Sequence, residues 1–112
     1  MDNVKDDRYY VTMMVTDLEL IFSYAERVNF SDPESNRQPL DAIGFRLNHL
    51  RQMSQGLSSD FVASHPNLKL KAMTHFRDYV IHEYETVDFS DYRDLVCDDL
   101  PKIYRILKDY LK

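Results

Sequence analysis

The sequence has no tryptophan, one cysteine, two glycines and four prolines in 112 residues. Each scarcity closes off a class of protein. A lone cysteine, Cys97, can form no internal disulfide and no thiolate metal cage, which suits a reducing compartment. It reads as a small apolar core residue. With so few chain breakers, long helices are expected rather than many short strands. There is no glycine-rich loop of the kind that cradles nucleotide phosphates. No apolar run approaches the ~20 residues that cross a bilayer. The opening Met1–Asp7 is acidic and lacks the basic start of a secretory signal. A cytoplasmic protein with no membrane association is expected.

Metal chemistry is also poorly provided for. His75 and His82 share a helical face, but seven residues of helix rise about 10.5 Å, too far for one ion. His82-Glu83 lacks the second histidine of a zinc-protease helix. His49 and His65 stand isolated and read as exposed or capping residues. No metal and no cofactor are expected.

Hydrophobic residues make up 44% of the chain, enough for a core and for one domain spanning residues 1–112. The net charge of −5 opposes loose binding to nucleic acid, which rests on phosphate neutralisation. A local basic patch drawn from Arg46, Arg51, Lys69, Lys71 and Arg77 stays open.

Apolar spacing divides the chain into helical segments. The first runs from about Val4 to Val28, with Val11, Met14, Val15, Leu18 and Ile21 on one face. Asn29 to Pro39 reads as a loop, with Ser31-Asp32-Pro33 and Arg37-Gln38-Pro39 as its breakers. The second begins near Leu40. Its stripe is Leu40, Ile43, Leu47, Leu50 and Met53, which Phe45 and Leu57 extend, and Ser64-His65-Pro66-Asn67 ends the pattern. The third spans about Leu68 to Tyr84. The fourth spans about Phe89 to Leu111, and Pro101 is expected to kink it near Val96–Cys97 or to split it. The segments predict an all-α, four-to-five-helix up-and-down bundle.

The third segment carries the candidate chemistry, Phe76-Arg77-Asp78-Tyr79-Val80-Ile81-His82-Glu83-Tyr84. A guanidinium fits phosphate, and an imidazole exchanges protons near neutral pH. On a straight helix Arg77 and His82 differ by about 140°, so they meet only if the helix bends or ends, or if a second chain completes the site. Asp78 and His82 are four residues apart and share a face. In a functional reading His82 moves a proton of the ribose 2′-hydroxyl or of the leaving 5′-oxygen. Arg77 stabilises charge on the phosphate, Asp78 holds His82, and Tyr84 contacts RNA or carries a modification. In a plain structural reading the same residues mark a helix end: Arg77 in a surface ion pair, His82 near the helix-dipole terminus, Tyr84 closing the core.

The fuller pattern, Arg77-Asp78-x3-His82-x-Tyr84 with Val87-Asp88 and Asp98-Asp99-Leu100-Pro101 after it, resembles the HEPN superfamily and within it the HepT-like toxins of HEPN–MNT toxin–antitoxin pairs. Asp17-Leu18 and Asp41-Ala42-Ile43 fit the same pattern, whereas Lys69-Leu70 stand where many relatives carry Pro-Trp. The resemblance implies a HEPN bundle paired as a homodimer around a shared cleft. It implies metal-independent endoribonuclease cleavage of RNA (tRNA or mRNA), with Arg77 and His82 as the catalytic pair and Asp78 as the supporting polar residue. Tyr84 matches a tyrosine that a partner MNT nucleotidyltransferase, the antitoxin, adenylylates in some relatives. The alternative is a non-catalytic helical partner and AMPylation substrate of such a nucleotidyltransferase, a reading that the acidic balance favours.

Overall fold

A computed structural model describes residues 5–29, 37–69 and 93–112. The fold is all-α. Among the described residues the elements are α1 (Asp7–Ala25), α2 (Arg37–Ser54), the short α3 (Ser59–Ser64) and α4 (Leu100–Leu111), the last preceded by a π-helical turn at Leu95–Asp99.

Helix α1 starts where its sequence provides a cap. The Asp6 side chain accepts the backbone N–H of Tyr9 at 3.0 Å, replacing an intrahelical partner that the first turn lacks. The expected stripe of Val11, Met14, Val15, Leu18 and Ile21 is buried. The helix is shorter at both ends than its apolar spacing predicts. Val28 lies beyond Ala25 yet still packs against the core.

Helix α2 begins at Arg37, three residues before the expected start at Leu40, so Arg37-Gln38-Pro39 belongs to the helix and not to the loop. Pro39 is tolerated because first-turn N–H groups have no intrahelical acceptor to lose. Leu40, Ile43, Leu47 and Leu50 are fully buried. Phe45 departs from the expected stripe and is 66% exposed; it follows Ile43 by two residues, which turns it away from the core. The pattern breaks at Gln55–Ser58 rather than running on to Ser64. Gly56 passes directly against the Tyr10 ring, leaving no room for a Cβ. Ser58 then caps α3 by accepting the N–H of Phe61 at 3.0 Å. Asp7 of α1 clasps this cap, accepting the Ser58 N–H at 2.8 Å and its hydroxyl at 2.7 Å. His65 caps the far end as expected, its Nδ1 2.8 Å from the Phe61 carbonyl.

The Pro101 expectation is met in a particular form. Proline has no N–H to give the carbonyl four residues back, and its ring collides with that carbonyl. The chain widens instead: Leu100 N–H reaches back to the Leu95 carbonyl, the wider bond of a π turn. Leu95, Val96, Leu100, Ile103 and Leu107 all face the core across this turn. Cys97 does not. It is exposed, against the expectation of a core thiol, because its neighbours Leu95 and Val96 take the inward positions.

Cross-contacts fix the directions. Asp7 meets Ser58 while Asp17 meets Arg46, so α2 runs antiparallel to α1. Arg8 donates to the Leu111 carbonyl at 3.3 Å and Tyr104 donates to Glu19 at 2.7 Å, so α4 is antiparallel to α1 as well. Helix α1 is thus the shared wall between two helices, the arrangement of an up-and-down bundle.

Candidate functional site

Arg77, Asp78, His82 and Tyr84, the residues singled out from the sequence, lie outside the described residues, as does Lys71 of the candidate basic patch. The other members of that patch, Arg46, Arg51 and Lys69, are described. Arg46 is bonded to a carboxylate, and Arg51 has its Nε buried without a hydrogen-bond partner. Lys69 lines a hollow with Asn67, Asp99, Lys102 and Ile103, where the chain after α3 meets the start of α4. Its described lining carries two lysines and one aspartate.

The most concentrated polar chemistry among the described residues lies between α1 and α2. Asp17 is only 1% exposed and belongs to the buried face of α1. Three residues past Met14 and four before Ile21, it is carried inward by the same helical period that buries them. A carboxylate in that position must be paired. Arg46 Nη1 donates to Oδ1 at 3.3 Å, and His49 Nδ1 lies 2.6 Å from Oδ2. The two partners are three residues apart on α2, hence on one face. Their side chains keep 31% and 29% exposure. The cluster is therefore anchored in the core and open at its outer edge.

The bonding pattern orients the imidazole. A carboxylate already accepting from a guanidinium is an acceptor, so Nδ1 carries the hydrogen and Nε2 is left on the other side of the ring. This is the arrangement in which a carboxylate orients a histidine for proton or hydroxyl chemistry. Phe45 stands beside it, with the Arg46 guanidinium 5.5 Å from its ring centroid.

His49 was expected to be isolated, exposed or capping; it is instead bonded to a buried acid. The available signal was Asp17, an acid inside an apolar stripe. A second polar contact ties α1 to α4. The Tyr104 hydroxyl donates to Glu19, and this bond, helped by burial and the carboxylate's charge, raises the phenol above its ordinary range. Among the described residues no group of three or more histidine, cysteine or acidic side chains is placed to hold a metal ion. No helix among them is long and apolar enough to cross a membrane.

Comparison with known proteins gives this architecture a family. The model of the "Ribonuclease HepT-like" family matches residues 14–110. A candidate RNase of Methanocaldococcus jannaschii is 20% identical over 108 residues, covering 96% of this chain and 89% of its own. A candidate ribonuclease HepT of Thermococcus cleftensis is 26% identical over 94 residues, covering 84% and 86%. A second candidate RNase of M. jannaschii is 24% identical over 83 residues, covering 74% and 76%. No solved structure matches significantly. The family match runs from the middle of α1 to the end of α4 and takes in the Arg77–Tyr84 segment between them, and the chain belongs to the HepT-like ribonucleases of the HEPN superfamily.

Proposed function

We propose that this protein is a metal-independent endoribonuclease and the toxin half of a toxin–antitoxin pair. The observation that carries the reading is the Arg77-Asp78-x3-His82-x-Tyr84 sequence inside a chain matched almost throughout by the HepT-like family. The chemistry follows from the residue types. His82 takes the proton of a ribose 2′-hydroxyl, and the freed oxygen attacks the adjacent phosphorus. The bond to the 5′-oxygen breaks, leaving a 2′,3′-cyclic phosphate and a 5′-oxygen that takes up a proton to become a hydroxyl. Arg77 binds the extra negative charge of the transition state, where a preorganised cation is most effective. Asp78, four residues before His82 in the sequence, orients the imidazole. Two copies of the single domain pair so that both motifs face one cleft, and the two chains together supply the arginine and the histidine. The substrate is tRNA or mRNA.

The antitoxin in this reading is an MNT-type nucleotidyltransferase that adenylylates Tyr84. The added phosphates block the cleft by bulk and negative charge. The test is expression of the wild type and of His82→Ala in bacteria. The wild type should arrest growth and fragment cellular RNA, and the variant should do neither. Equal growth and intact RNA in both would end the ribonuclease reading. Mass spectrometry after incubation with the partner and ATP should find one added AMP, absent from Tyr84→Phe.

A further inference from the structure

Asp17, Arg46, His49 and Phe45 form a built surface that the Arg77–Tyr84 motif leaves unused. Its parts differ in what they bind. Phe45 is 66% exposed and has the Arg46 guanidinium over one side of its ring, which leaves the other side for a ligand, on a helix whose other large apolar residues are mostly buried. Four residues along α2 is His49, on the same side of the helix. Arg46 lies between them in sequence and spends Nη1 on Asp17, which leaves the rest of its donor fork for an anion. His49 spends Nδ1 on Asp17, which leaves Nε2 for a further polar partner. Asp17 itself is buried behind both partners, so its charge is answered on the inner side and little of it faces solvent.

We infer that this face of α2 is a subsite for one nucleotide of single-stranded RNA. A base stacks on Phe45, its phosphate meets Arg46, and its ribose 2′-hydroxyl hydrogen-bonds to His49 Nε2. Each assignment follows from chemistry. Any base offers a face to an exposed aromatic ring. A guanidinium matches a phosphate in geometry and charge. The 2′-hydroxyl, a donor and an acceptor, distinguishes RNA from DNA, and it needs a fixed partner to be read. Asp17 fixes that partner, the His49 ring, as a positioning residue. The inference rests on the ribonuclease reading, because it takes RNA as the ligand. It adds a binding residue set on α1 and α2, in a chain whose net charge gives no general affinity for nucleic acid.

The test uses the full chain carrying His82→Ala, so that the probe is not cut. Labelled single-stranded RNA and DNA of one sequence are titrated at low salt and followed by anisotropy. Phe45→Ala should weaken RNA binding at least about fivefold, with an unchanged circular dichroism spectrum because the side chain is exposed. His49→Asn retains a donor for Asp17 and loses the outer ring nitrogen, so it should abolish the preference for RNA over DNA while leaving DNA affinity within about twofold. Unchanged RNA affinity in Phe45→Ala together with an unchanged RNA preference in His49→Asn overturns the subsite. So does a Phe45→Ala protein that dissociates into monomers but binds RNA as before, since Phe45 would then serve a contact between copies. If the His82→Ala protein binds neither strand while the wild type still fragments RNA in cells, the subsite falls and the ribonuclease reading stands. If neither binding nor cleavage occurs, both fall.

Discussion

The Asp17 cluster makes an asymmetric prediction about stability. Its three charged or polar groups are not equally buried. Asp17 is 1% exposed, whereas Arg46 and His49 keep 31% and 29%. Removing the acid leaves two groups that can turn to water. Asp17→Ala should therefore cost about 1.5–3 kcal/mol, the scale of lost hydrogen bonds to a charged group. Removing both partners instead leaves a carboxylate in the core with nothing to bond. The double variant Arg46→Ala/His49→Ala should cost about 3–5 kcal/mol, the scale of an uncompensated buried charge. A third variant closes the test. Adding Asp17→Leu to the double variant replaces the stranded charge by an apolar side chain and should recover most of the loss. Urea unfolding followed by circular dichroism reads all three. With a slope of about 1–3 kcal/mol per molar urea, the double variant should unfold roughly 1 M below Asp17→Ala. An Asp17→Ala protein less stable than the double variant would refute the reasoning. So would a triple variant no better than the double, because the penalty would then not come from the buried charge.

Two further outcomes test other contacts. Ser58→Ala removes the cap of α3 and one of the two bonds to Asp7, and it should lower stability by about 1–2 kcal/mol, read as a lower urea midpoint; no change would show that the Asp7–Ser58 clasp is not formed in solution. The Tyr104 phenol is raised above its ordinary range, first by its hydrogen bond to Glu19 and then by burial and the Glu19 charge. A raised phenol favours its protonated form in the folded state. Its contribution is present below the ordinary tyrosine range and is lost as pH rises through the folded value. Ultraviolet titration of wild type against Tyr104→Phe should show this one tyrosine ionising above about pH 10, and Glu19→Gln should bring it down; a difference spectrum at ordinary pH in the wild type would contradict the bond.

Much of the fold was legible because period and polarity act locally. The inward residues of α1, α2 and α4 follow the three-and-four spacing of their apolar side chains, and burial honours it from Val11 to Leu107. The Pro101 disturbance was legible too, since a missing N–H and a clashing ring act on the preceding turn whatever packs against it. The start of α2 was less so. Pro39 breaks a helix interior but suits a first turn, and spacing does not say which position it holds. Cys97 and Phe45 were assigned to the core by residue type, yet each follows an inward residue by only one or two positions. The helical rotation carried them out.

Sequence alone determined the helical class, the core stripes of α1, α2 and α4 and the Arg77-Asp78-x3-His82-x-Tyr84 pattern on which the family resemblance rests, because these depend on residues near one another along the chain. The tertiary structure decided what Asp17 meets. An acid on α1 and a pair of bases on α2 are separated by a loop, and only the antiparallel docking of the two helices brings His49 Nδ1 to 2.6 Å from a buried carboxylate. Distance along the chain carries no record of that, since the contact is made by packing and not by spacing.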